Sequence, residues 1–128
     1  MPVKKLFSMT KIPESSPTES LLDFNTLRHI KPSLFNRLLI LFEESVPDMV
    51  QQIRNAWESG QIQLAGKLTH NLKGSCLAIG ASRMTDLCKQ AQNQFTEAVN
   101  PEFLPLLVQM EHTFVLTLKE LKQHQASL

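Results

Sequence analysis

The chain has 128 residues, of which 42% are hydrophobic and only 6% are aromatic, with no tyrosine. This length fits one domain with a sizeable, mainly aliphatic core. The formal net charge of +1 argues against a nucleic-acid binder that works through massed phosphate contacts. Two cysteines, Cys76 and Cys88, are too few for a disulfide framework and wrongly spaced for a zinc site, so we expect buried free thiols in a cytoplasmic protein.

The first part of the chain is predicted to lie outside the folded domain. Residues 13–20 are rich in Pro, Ser, Thr and Glu, so we interpret residues 1–20 as a disordered tail or linker. No apolar run approaches the length of a membrane span or of a signal-peptide core, so we expect no membrane contact by this domain. The domain itself is predicted over residues 21–124, with residues 125–128 disordered.

The first half of the domain is predicted to be helical. A short helix around residues 23–30 should stop before Pro32. Apolar residues then recur at three- and four-residue spacing over residues 34–57. This segment is either one long helix bent at Pro47 or two helices with Ser45 capping the second. We favour the single helix.

The second half continues the same pattern. A third helix is predicted from about Gln61 to Ile79, closed by Gly80, and a fourth begins with Ser82 as its N-cap. Asn100-Pro101 then precedes an apolar seam from Phe103 to Leu121. No period-two alternation indicates a strand. The sequence therefore predicts an all-α protein, an antiparallel four-helix bundle with a short extra N-terminal helix.

One histidine of the third helix has unusual neighbours. Gly66 and Gly74 lie four residues on either side of His70, and Lys67 and Lys73 lie three residues on either side. Residues three and four apart are neighbours on a helix surface. The ring is therefore flanked by two cations and by two positions without side chains, an arrangement suited to a bulky anionic reactant.

The helical phase predicts that this histidine faces solvent. At about 100° per residue, Gln63 and Leu77 also fall within about 60° of His70. Seven residues fall on the opposite side and form the expected core-facing stripe, namely Leu64, Ala65, Leu68, Leu72, Ser75, Cys76 and Ile79. The glycines serve either access to His70 or close helix packing, and we favour access because their phase is that of the exposed side.

The residues on this face and the motifs missing from the chain together predict a phosphoryl carrier. A neutral imidazole is a nucleophile at physiological pH, and flanking ammonium groups attract a phosphoryl group. Residues 61–80 contain no Asp or Glu to orient the ring and no second histidine for a metal site. No nucleotide-binding loop or kinase motif is present in the chain, so we expect no autokinase activity and no cofactor.

These residues resemble a known family. The stretch His70-Asn71-Leu72-Lys73-Gly74-Ser75, followed by Gly80 and by Leu87-Cys88, resembles the histidine-containing phosphotransfer (HPt) domain of bacterial multistep two-component phosphorelays. Leu22-Asp23 upstream also matches. The resemblance covers roughly residues 21–122 and is strongest to the HPt domains of hybrid sensor kinases.

The resemblance implies roles and partners. It makes His70 the phosphorylated residue, Lys73 a phosphoryl-stabilising cation and Gly74 the residue whose missing side chain admits the partner. The partners would be receiver domains of a hybrid sensor kinase and of a response regulator, and Mg²⁺ would belong to the receiver. The chain departs from the family at Ala91-Gln92, where Leu-Glu is common, which would weaken a packing contact and a surface charge.

Two further expectations concern binding. We interpret Leu77 and Gln63 as docking contacts beside His70. Lys67 would be a second phosphoryl-stabilising cation, and Gly66 a second position that leaves access to the ring. We expect the protein to be a monomer. A helical adaptor that binds partners without being phosphorylated is the alternative function. In that case Gly66 and Gly74 would form a groove for a partner helix.

Overall fold

A computed structural model describes residues 20–94 and 103–128 of the protein. These two ranges contain five helices, α1 (Phe24–Leu27), α2 (Pro32–Glu58), α3 (Ile62–Ala78), α4 (Ser82–Asn93) and α5 (Phe103–Ala126). The described ranges include no strand, so the all-α prediction is confirmed. The predicted tail over residues 1–20, apart from Ser20, and the predicted cap at Asn100-Pro101 lie outside the described residues.

The four long helices form a closed bundle. Helix α2 packs against α3 and α5, and α4 also packs against α3 and α5. Arg54 of α2 pairs with Glu111 of α5 at 2.6 Å, and Glu43 pairs with Lys122 at 2.9 Å. Since the later residue of α2 meets the earlier residue of α5, these two helices are antiparallel. The bundle predicted from the sequence is thereby confirmed.

Helix α2 is a single helix that contains Pro47. An internal proline removes one backbone hydrogen bond and costs about 3 kcal/mol. Burial of Phe42 and Val46 before the proline, and of Val50 after it, holds the helix together. Ser45 caps nothing, because its hydroxyl donates to the carbonyl of Leu41. The two-helix alternative is therefore wrong.

The predicted N-cap of α4 is wrong by one residue. The cap is Ala81, whose carbonyl accepts the Thr85 N–H at 3.0 Å. The Ser82 hydroxyl instead donates to the backbone carbonyl of Ser20 at 3.2 Å. The Ser82 side chain thus bonds to the N-terminal segment of the domain instead of to its own helix. The sequence around α4 alone does not indicate this contact.

The last helix exceeds its predicted length. Helix α5 continues to Ala126, two residues past the domain boundary expected at residue 124. Its buried seam includes Thr113 and Thr117, whereas Phe114 and Leu118 of the predicted apolar seam are only half-buried. At its start, Phe103 stacks on Trp57 of α2 with ring centroids 4.2 Å apart. None of the helices in the described parts of the chain is long and apolar enough to cross a membrane.

Gly80 joins the α3–α4 turn to the N-terminal segment. Its φ is +73°, a conformation that favours glycine, and the Ala81 N–H donates back to the Cys76 carbonyl at 2.9 Å. The Gly80 carbonyl accepts the Asp23 N–H at 2.8 Å. A Cβ at Gly80 would lie 3.2 Å from the Asp23 carbonyl oxygen and 3.3 Å from Cγ of Leu27.

We predict that Gly80→Ala destabilises the protein more than Gly60→Ala. Gly60 also has a positive φ, +81°, but a Cβ there would meet nothing within 4 Å. Backbone strain alone should cost about 1–2 kcal/mol at Gly60. Crowding against Asp23 and Leu27 should add roughly 1 kcal/mol or more at Gly80. Denaturant unfolding of both variants measures this difference, and equal losses would contradict it.

Candidate functional site

The rotation of α3 about its axis is set by a buried seam. Ala65, Thr69, Leu72 and Cys76 are each 0% exposed, and they follow one another at spacings of four, three and four residues. Thr69 can occupy a buried position because its hydroxyl donates to the Ala65 carbonyl at 2.8 Å, which satisfies its polar group. These four positions fix which residues of α3 point toward solvent.

The predicted core stripe of α3 is partly wrong. Leu64 was expected on the buried side, yet its side chain is 42% exposed. Thr69 was not counted as a core residue and is fully buried. The buried stripe is therefore rotated toward Thr69. The pattern of apolar residues misled the prediction because a threonine that satisfies its own hydroxyl can occupy a core position.

This rotation places His70 on the exposed surface of the bundle. Gln63, Lys67 and Leu77 are exposed on the same face, and the Leu77 side chain is 54% exposed. Lys73 is half-buried. The structure therefore brings together the histidine, both lysines and both docking candidates along one face of α3.

The two glycines differ in their surroundings. Gly74 is exposed, and a Cβ built there would have no atom within 4 Å. Nothing in the described parts of the chain packs closely on Gly74, so close helix packing within the bundle does not explain it. Gly66 is half-buried. The surface next to His70 is open on the side of Gly74.

A residue that sequence reasoning missed contacts His70. Gln92 of α4 places its amide nitrogen 3.3 Å from Nδ1 of the His70 ring. Gln92 lies four residues after Cys88, which contacts Cys76 of α3. Once α3 and α4 are known to be antiparallel, these spacings put Gln92 opposite His70. Gln92 is thus a neutral hydrogen-bonding partner of the ring where the family commonly has a glutamate, a role that the interpretation as a weakened surface charge overlooked.

The contact with Gln92 distinguishes the two ring nitrogens. Nδ1 faces the Gln92 amide, whereas Nε2 has no hydrogen bond among the described residues. An amide can donate to a bare ring nitrogen or, turned over, accept from a protonated one. When the oxygen faces Nδ1–H, the lone pair of Nε2 is free and directed away from α4. Nε2 is the ring nitrogen without a hydrogen bond among the described residues, and it is nucleophilic when Nδ1 carries the proton.

The lysines beside the ring are available to an incoming anion. Neither Lys67 nor Lys73 forms an ion pair or side-chain hydrogen bond within the described residues. Around the helix, Lys73 lies between His70 and the buried Cys76, on the flank that faces α4. Lys73 is half-buried there, whereas Lys67 is exposed.

Other candidate nucleophiles and ligands are poorly placed. Both cysteines are free and buried. Contact with Cys88 and burial raise the pKa of the Cys76 thiol, which makes it unreactive. Within residues 20–94 and 103–128, no group of three His, Cys, Asp or Glu side chains is arranged to hold a metal ion.

Comparison with protein families agrees with this site. The Hpt domain matches residues 37–124, which is more than half of the chain and includes all of α3 and α4. The chain therefore belongs to the Hpt domain family. Domains of this family carry phosphoryl groups on a histidine in two-component phosphorelays and interact with receiver domains. No curated protein and no solved structure matches the chain significantly.

The open space at Gly74 generates a stability prediction. Gly74→Ala should raise the free energy of unfolding by about 0.5–1 kcal/mol, because alanine is the better helix former and its methyl group meets nothing. Denaturant unfolding measures the change. A loss of stability would contradict the open surface described here.

Proposed function

We propose that the protein is a phosphorelay intermediate whose phosphoryl-carrying residue is His70. It accepts the phosphoryl group from the aspartyl phosphate in the receiver domain of a hybrid sensor kinase. It then passes the phosphoryl group to the receiver domain of a response regulator. The observation that carries this proposal is the exposed imidazole, with no hydrogen bond to Nε2 among the described residues, in a chain of the Hpt family.

The transfer needs no base from this chain. The Nε2 lone pair attacks phosphorus, the bond from phosphorus to the aspartyl oxygen breaks, and the receiver keeps its electron pair as a carboxylate. The ring becomes a phosphorylated imidazolium that retains its Nδ1 proton, so no proton leaves. The reverse steps deliver the group to the next receiver. This balance agrees with the absence of Asp and Glu from residues 61–80.

Gln92 positions the ring in this proposal. For this role the amide is turned over from the orientation in which its nitrogen lies 3.3 Å from Nδ1. Its oxygen then accepts the Nδ1 proton before transfer and keeps that contact after phosphorylation, when the proton carries part of the positive charge. The ring is thereby held with Nε2 outward. A single neutral hydrogen bond contributes about 0.5–1.5 kcal/mol. The Gln92 contact should therefore change the rate of transfer modestly, and transfer should still occur without it.

The cations and glycines have complementary roles. Lys73 and Lys67 offset the negative charge of the phosphoryl group during transfer, where positioning and charge neutralisation account for most of the catalysis. Gly74 and Gly66 leave room for the receiver's active site to reach Nε2. Leu77 and Gln63 provide docking contacts, and Mg²⁺ is supplied by the receiver, which has the carboxylates to bind it.

The direct test uses receivers from different phosphorelays. The protein is incubated with each phosphorylated receiver domain, and the acid-labile, base-stable phosphate on it is measured. We expect label on the wild type with at least one receiver and none on His70→Gln. His29→Gln is the matched control, since that exposed histidine lies on α1's C-terminal side and should not affect labelling. A wild type that binds receivers but never acquires label would favour the adaptor function.

Gln92 gives a quantitative prediction. Gln92→Leu should slow transfer to His70 between about twofold and tenfold, because one hydrogen bond to the ring is lost. Gln90→Leu makes the same chemical change at an exposed position of α4 and should have no effect. Rapid-quench measurement of phosphoryl transfer compares them. Equal rates for both variants would show that the Gln92 contact does not act on the reaction.

A further inference from the structure

A small cavity opens on the same face of the bundle as His70. Its volume is about 160 Å³, and it lies where the end of α3, the start of α4 and helix α1 meet. Leu77 and Gly80 of the α3 end line it, together with Asp23 beside α1 and with Asp86 and Lys89 of α4. The cavity has room for one side chain and none for a helix.

The two carboxylates of the cavity differ in their partners. Asp23 caps α1, accepting from the Asn25 N–H, the Thr26 N–H and the Thr26 hydroxyl. The bond from the Thr26 hydroxyl, with those from the two N–H groups, lowers the pKa of Asp23, so this group is ionised. Asp86 is half-buried and has no hydrogen-bond or ion-pair partner among the described residues. Its charge is thus available to a cation from outside.

The cavity lies within reach of any protein that covers His70. Leu77 is seven residues from His70 on the same face of α3, a rise of about 10 Å. A typical protein interface buries about 800 Å² on each partner, the area of a circle roughly 16 Å in radius. A contact centred on His70 therefore extends past Leu77. A receiver domain whose active site is at Nε2 of His70 therefore also covers the cavity.

The charges of this face change sign along α3. Lys67 and Lys73 make the surface around His70 positive. In the cavity, two carboxylates against the one ammonium of Lys89 leave a net negative lining. A partner oriented for transfer would present its acidic, phosphorylated site to His70 and a basic group to the cavity. Such a bipolar surface fixes the orientation of a docked protein.

We propose that the cavity is a specificity pocket that receives one arginine or lysine side chain of the receiver domain. The cationic end pairs with Asp86, and the apolar stem packs on Leu77, as long basic side chains do on apolar surfaces. This assignment rests on the proposed function, because it takes the partner to be a receiver. Receivers without a basic residue at that place would be poorer partners, since Asp86 would be covered and left unpaired.

The test separates binding from transfer. With the receiver that phosphorylates the wild type fastest, the initial rate of transfer is measured against receiver concentration for the wild type and for Asp86→Asn. We expect KM for the receiver to rise about fivefold in Asp86→Asn at low ionic strength. The rate of transfer at saturating receiver concentration should change much less. The difference should shrink in ~0.5 M salt, because a partly exposed ion pair is screened.

Glu58→Gln is the matched control. Glu58 is exposed at the carboxyl end of α2, at the opposite end of the bundle from the cavity, and its variant should keep the wild-type KM. An Asp86→Asn variant with the wild-type KM, while His70 still acquires phosphate, would overturn the pocket assignment alone. A wild type that acquires no phosphate from any receiver would overturn the proposed function and the pocket with it.

A second measurement identifies the partner group. Each surface Arg and Lys of the receiver is changed to Gln and combined with Asp86→Asn in a double-mutant cycle. One receiver position should raise KM in the wild-type background and have little further effect in the Asp86→Asn background. Additive effects at every position would overturn the assignment.

Discussion

Burial of Ala65, Thr69, Leu72 and Cys76 is the constraint on which the site depends. These residues form the core seam of α3, and the rotation they impose turns His70 outward. The seam also brings Cys76 into contact with Cys88 of α4. That contact sets where Gln92, four residues after Cys88, lies relative to the ring. The position of His70 on the surface is thus set by packing in the interior of the bundle.

The same rotation accounts for what the site lacks. Transfer of a phosphoryl group from an aspartyl phosphate to an imidazole releases no proton, so it requires no general base. It requires only compensation of the phosphoryl charge and space for the partner. In the proposed function, Lys73 and Lys67 would supply the charge compensation, and the bare surface at Gly74 would supply the space. An amide at Gln92 suits this chemistry because it can hold the ring without competing for the phosphoryl group.

The sequence predicted the fold class, the order of the helices and the single long α2. These features follow from local patterns, namely the spacing of apolar residues and the placement of Gly80. Two details were wrong for reasons beyond local pattern. Thr69 takes a core position that Leu64 was expected to fill, because its hydroxyl bonds to its own helix. Ser82 bonds to Ser20, sixty-two residues away in the chain, and leaves the cap of α4 to Ala81.

The face of His70 could also be predicted, but its neighbours from other helices could not. Gly74 and Lys73 belong to α3, so helical geometry alone relates them to the ring. Gln92 and Asp86 approach from α4, and their positions depend on how α4 is aligned against α3. A sequence pattern gives no such alignment. For that reason both the ring contact and the cavity required the three-dimensional structure.

The most direct test of the central claim is to locate the phosphorus on the histidine. The protein, labelled with ¹⁵N and phosphorylated by a receiver domain, is observed by NMR through the coupling between ³¹P and the ring nitrogens. We predict coupling to Nε2 of His70, with Nδ1 protonated. Phosphorus on Nδ1 of His70, or on any of the other histidines, would contradict the claim that the packing of α3 presents Nε2 of His70 for transfer.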